Sequence, residues 1–127
     1  MRLFVVRHAE AAPGDPDELR PLTEAGRATA RALAVRLAAE GVEIVVSSPL
    51  LRARETAAEI ARAGHAPVEV DERLAPGATP DGVRAAVTGR GETVVAVGHQ
   101  PDCSELVLAF TGRTARFEPA AFVEVEL

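Results

Sequence analysis

Apolar runs and helical spacings alternate along this chain. Residues 3–8, LFVVRH, begin with four consecutive apolar side chains, as a strand buried on both faces does, and close on Arg7 and His8. Residues 11–22 hold three prolines and the acidic cluster Asp15–Glu18 without apolar periodicity, which predicts a loop. From Thr23, suited to an N-cap, Ala30, Leu33, Ala34 and Leu37 recur at helical spacing, leave Arg27, Arg31 and Arg36 to solvent, and meet a stop at Gly41. Residues 42–48, VEIVVSS, read as a second buried strand. Ser48 and Pro49 then fit the N-cap and first position of a helix running to about Gly64. Val68 to Glu72 alternates like a strand, Thr79 to Thr88 forms a short helix, and TVVAVGH, residues 93–99, is a third apolar strand. Pro101 opens a helix through Phe110. Residues 120–127 alternate apolar and acidic side chains, as a half-exposed edge strand does.

Strands alternating with helices predict an α/β sandwich around a largely parallel sheet, and 127 residues make one domain, 1–127. In such sheets ligands bind beyond the carboxyl ends of the strands. Here those ends carry Arg7-His8, Ser47-Ser48 and His99, so two of the three histidines share one rim.

Composition narrows the chemistry. Hydrophobic residues make up 47% and charged residues 26% of the chain, enough to bury a core, and no apolar run approaches the ~20 residues of a membrane span. The N-terminal apolar stretch is too short for a signal peptide's core, so a cytosolic location is expected. The formal charge is −5, which disfavours nucleic acid as a partner. All fourteen basic residues are Arg, the side chain best shaped for bidentate recognition of phosphate. The single cysteine, Cys103, excludes an internal disulfide and reads as a small core hydrophobe.

Arg7, His8, Arg52 and His99, brought together by the strands, suit a phosphoryl group. A neutral imidazole with one nitrogen held by a backbone acceptor offers the other as a nucleophile, and guanidiniums neutralise the equatorial oxygens. A second imidazole, if protonated, adds a cationic donor. His8, Glu10 and His99 could also be read as metal ligands, but neighbouring guanidiniums would repel a cation. His65 lies beyond the helix stop and reads as a solvated loop residue.

The segments VVRHAE, LRPLTEAGR, SSPLLRARET and VAVGHQPD resemble, in order and at comparable separations, the motifs of the histidine phosphatase superfamily, with its Arg-His signature near the N-terminus. The Arg-Pro-Leu-Thr segment and the compact stretch before the second histidine are most similar to the SixA-type phosphohistidine phosphatase branch. The resemblance implies a three-layer α/β/α, phosphoglycerate mutase-like sandwich with no metal and no diffusible cofactor. It implies His8 as the phosphorylated nucleophile, Arg7, Arg52 and His99 as phosphoryl ligands, and Arg20 as a substrate contact at the mouth of the site. Inorganic phosphate or sulfate should bind there.

Two departures stand out. Ala9 follows the signature histidine where many members have Gly. Pro76, two residues after Leu74, stands where phosphomonoesterases and mutases of the superfamily usually carry a glutamate acid. This fits the phosphohistidine branch, because an alkoxide leaving group needs acid help worth typically 10²–10⁴-fold whereas an imidazole does not. Asp71, Glu72 and the Asp15–Glu18 cluster remain candidate proton donors. The leading expectation is a phosphatase acting on histidine-phosphorylated proteins. A small-molecule phosphomonoesterase and a catalytically idle phosphate-binding module are the alternatives.

Overall fold

The computed structural model describes residues 1–127 and shows a five-stranded sheet flanked by four α-helices. In chain order these are β1 (Arg2–Arg7), α1 (Glu24–Ala38), β2 (Ile44–Ser47), α2 (Leu51–Gly64), β3 (Val68–Val70), α3 (Pro80–Val87), β4 (Thr93–Gly98), α4 (Asp102–Thr111) and β5 (Phe122–Glu126). Two 3₁₀ turns, Asp17–Leu19 and Glu72–Leu74, lie between them. The strand order is β3-β2-β4-β1-β5, with β5 alone antiparallel.

The period-two geometry of a strand explains the three layers. Phe4, Val6, Val45, Val95 and Val97 project to one face and pack with Leu33, Ala34 and Leu37 of α1 and Ala53, Ala57 and Ile60 of α2. Leu3, Val5, Val46, Val94 and Ala96 project to the other face, against Val83 and Val87 of α3 and Leu106 and Val107 of α4. Burial on both faces is why these strands read as continuous apolar runs.

The parallel register sets the site. Arg7 pairs with Gly98 across β1 and β4, and Ser47 with Val97 across β2 and β4, so the next residues, His8, His99 and Ser48, emerge together at the C-terminal rim.

The structure corrects the sequence reading at two boundaries, the start of α2 and the extent of β3, and bears out the stop at Gly41. Helix α2 begins at Leu51 with Leu50 as N-cap rather than at Ser48-Pro49. The Ser48 hydroxyl accepts from Leu50 N–H (3.2 Å), but it is also turned into the site, as described below. Strand β3 covers only Val68–Val70, all three exposed, because it lies at the sheet edge and Asp71 caps the following 3₁₀ turn. Helix α1 ends at Ala38, ahead of Gly41, whose φ of +73° places the reversal there.

Candidate active site

The residues that follow β1 are clamped from both sides. Thr23 caps α1 by accepting from Gly26 N–H, and its own N–H donates to Glu10 O (3.0 Å). A Cβ at Gly26 would stand 2.1 Å from Glu10 O, so only glycine lets α1 approach this segment. Ala12 N–H donates to Pro21 O, and Ala9 N–H donates to the hydroxyl of buried Thr56 (3.0 Å). The Arg-Pro-Leu-Thr-Glu-Ala-Gly stretch therefore acts as a brace for the chain that follows His8.

His8 stands one residue past β1. Its Nδ1 lies 2.7 Å from Ala9 O, and a carbonyl can only accept, so Nδ1 carries the proton and Nε2 keeps a free lone pair. Burial pushes the His8 pKa below its ordinary value, and the charges of Arg52, Arg7 and Arg20 push the same way against the Ala9 hydrogen bond. The ring is a neutral imidazole at neutral pH, poised to donate an electron pair.

His99 sits at the end of β4, with its ring centroid 5.1 Å from that of His8 and the planes inclined by 59°. It is buried, and its Nε2 lies 2.7 Å from Ser48 Oγ. Burial, then the proximity of His8 and Arg52, lowers its pKa to about 4. The condition for a second cationic imidazole, that it be protonated, is therefore not met in the free protein at neutral pH. Approach of a phosphoryl dianion reverses part of this shift, because an opposite charge nearby favours the protonated form.

Three guanidiniums complete the surroundings. Arg7 donates through Nη1 to Phe117 O (2.8 Å), while its buried Nε has no hydrogen-bond partner in the protein. Arg52, the second residue of α2 and only 8% exposed, donates through Nη1 to Asp17 O (2.9 Å) and through Nη2 to Asp17 Oδ2 (3.2 Å). Arg20 donates through Nε to Ala12 O and through Nη1 to Asp17 Oδ1 (2.9 Å). The structure brings together Arg7, His8, Arg20, Arg52 and His99, all five of the residues singled out from the sequence. His65 lies apart as the C-cap of α2.

The candidate acids fare differently. The Asp71 carboxyl is held below the ordinary carboxylate range by the Arg73 guanidinium, and Asp17 likewise by Arg20 and then Arg52, so both stay ionised at neutral pH. Pro76 is exposed on the segment after the second 3₁₀ turn, whose Gly77 and Ala78 N–H groups donate to the buried carboxylate of Asp102 (2.9 and 3.2 Å). Cys103 lies beneath the rim, where burial pushes its thiol up to about 12, as expected of a core side chain.

Sequence reasoning missed Asp17 as a partner of the two arginines and Thr56 as the support of Ala9. A polar side chain four residues after Arg52, among alanines on the inward face of α2, was the available signal for Thr56. Asp17 is one of three acidic residues in its loop, and nothing in the sequence separates it from Asp15 and Glu18.

The profile of the histidine phosphatase superfamily (branch 1) matches residues 3–76. An uncharacterized protein of Picosynechococcus sp. is 39% identical over 116 residues, spanning 83% of this chain and 70% of that protein. The structure of the protein histidine phosphatase SixA complexed with tungstate superposes with a TM-score of 0.89 at 32% identity, covering 100% of this chain and 88% of that one. A second SixA structure, from Agrobacterium tumefaciens, reaches a TM-score of 0.84 at 25% identity over 97% of this chain and 89% of its own. The order of the motifs, the sheet topology and these likenesses agree: the chain belongs to the histidine phosphatase superfamily, in its SixA-type branch.

Proposed function

We propose that the protein is a phosphatase that removes the phosphoryl group from phosphohistidine on a partner protein, through a phosphoenzyme on His8. In this mechanism Nε2 of His8 attacks phosphorus, a new N–P bond forms, and the bond from phosphorus to the substrate imidazole breaks. Water then attacks the His8 phosphoryl group and releases orthophosphate and the free histidine. Arg7, Arg52 and Arg20 hold the non-bridging oxygens, and His99 donates one N–H to them.

The observation that carries the substrate class is the state of the carboxyl groups near the site. Asp17 and Asp71 are both held ionised by arginines, and Pro76 stands where the resemblance to the superfamily implies a glutamate acid in its phosphomonoesterases. A phosphohistidine needs no donor at the departing nitrogen. Protonation of the other ring nitrogen by solvent lets the group leave as neutral imidazole, whereas an alkoxide requires a proton at the breaking bond.

The test is kcat/KM across phosphate compounds of graded leaving-group pKa, with a phosphohistidine protein at one end and a sugar phosphate at the other. A steep fall as the leaving group becomes more basic is expected, with the sugar phosphate at least ~100-fold poorer. Efficient sugar phosphate turnover with a flat dependence would replace this reading by that of a small-molecule phosphatase.

A further inference from the structure

Asp17 is the acidic side chain that the mechanism above leaves idle, yet it occupies two of the arginines that mechanism uses. Its Oδ2 takes Nη2 of Arg52, its Oδ1 takes Nη1 of Arg20, and its backbone carbonyl takes Nη1 of Arg52. We propose that Asp17 is a built-in competitor for the phosphoryl group, holding Arg52 and Arg20 in the free protein and thereby setting the affinity of the site for every phosphate-like anion. The inference rests on the reading of Arg52 and Arg20 as phosphoryl ligands.

The two members of the pair differ in how firmly they are held. The Arg52 side chain is 9% exposed and extends from the second residue of a 14-residue helix, whereas the Asp17 side chain is 60% exposed on a 3₁₀ turn that buries none of its residues. A buried guanidinium without a counter-ion is costly, so the free protein gains from supplying one. The carboxylate that supplies it can swing to water at little cost, while the cation stays in place. Arg20 keeps its own anchor, the bond from Nε to Ala12 O, when Asp17 withdraws.

A carboxylate beside a phosphate-binding arginine either orients the guanidinium or competes for it. Orientation calls for a fixed carboxylate on the far side of the arginine, buried with it. Asp17 is instead largely exposed and carries the charge sign of the ligand. Its charge also acts on His99 against that of Arg52, raising the ring's pKa where Arg52 lowers it. A phosphoryl dianion, with more charge and three oxygens, is the stronger partner for the fork. Orthophosphate, the reaction product, meets the same competitor, so return of Asp17 to Arg52 favours its release.

An internal ligand weakens external binding by the factor with which it occupies the site. For an ion pair with one exposed partner, that factor is roughly two- to fivefold. Calorimetric titration of the intact protein with orthophosphate and with tungstate, at fixed pH and ionic strength, reads it without turnover. Asp17→Asn removes the charge and keeps the shape, and Asp17→Ala removes both. Each variant should bind both anions roughly two- to fivefold more tightly than the parent, with the KM for nitrophenyl phosphate falling in parallel. Weaker or unchanged binding by the variants, with normal binding by the parent, would overturn the competitor role and leave the phosphoryl site standing. Absence of binding by parent and variants alike would overturn both.

Discussion

Acidification should destabilise this protein through its two rim histidines before its carboxylates titrate. The folded state holds His99 at about 4 against an ordinary 6.5, so the unfolded chain binds this proton more readily. A group of this sense contributes stability above its unfolded pKa and loses it as pH falls from 6.5 towards the folded value. Weighing the two binding polynomials at about pH 5 gives a loss of about 2 kcal/mol from His99 alone, nearly all of it absent at about pH 7.5. That is a large share of a typical margin of roughly 5–15 kcal/mol. His8 adds to the loss in the same direction. Asp17 and Asp71, lowered from 3.8, contribute only at more acid pH.

The assay is urea unfolding at a series of pH values between about 7.5 and 5, for the parent and for His99→Gln. The parent should lose stability steeply over this interval, and the variant should lose about 2 kcal/mol less. Orthophosphate should flatten the parent's curve, because an anion among Arg7, Arg52 and the two imidazoles favours their protonated forms. Equal pH slopes for parent and variant would show that His99 is not desolvated and that the rim is more open than described.

Chelators should leave activity unchanged, since guanidiniums supply the positive charge in the proposed mechanism. Loss of activity in EDTA that a divalent ion restores would refute this. Gly26→Ala should destabilise the fold by about 1–3 kcal/mol and lower kcat, because the new Cβ would meet Glu10 O at 2.1 Å and push the segment beyond His8 away from α1. Urea unfolding together with steady-state kinetics measures both effects.

The layers and the rim were legible in the sequence because they follow from periodicity. Val94 to Val97 read as an inner strand since both faces are covered, and the rule that ligands sit beyond strand ends then placed His8 and His99 together. Boundaries set by a side chain with two tasks were not legible. Ser48 looks like a helix cap, and only the fold reveals that its hydroxyl also meets His99 and that α2 starts at Leu51. The protonation of His99 was likewise hidden, since burial rather than residue type decides it. Asp17 escaped for a third reason: the turn that aims it at Arg52 has no apolar pattern and buries no residue.

The central claim, that phosphoryl transfer passes through His8, is tested most directly by rapid quench of the protein with a labelled phosphoryl donor, followed by peptide mapping. The account predicts that His8 accumulates an acid-labile, base-stable phosphoryl group within one turnover and that His8→Ala forms none and is inactive. Label on another residue, or turnover by His8→Ala, would contradict the account.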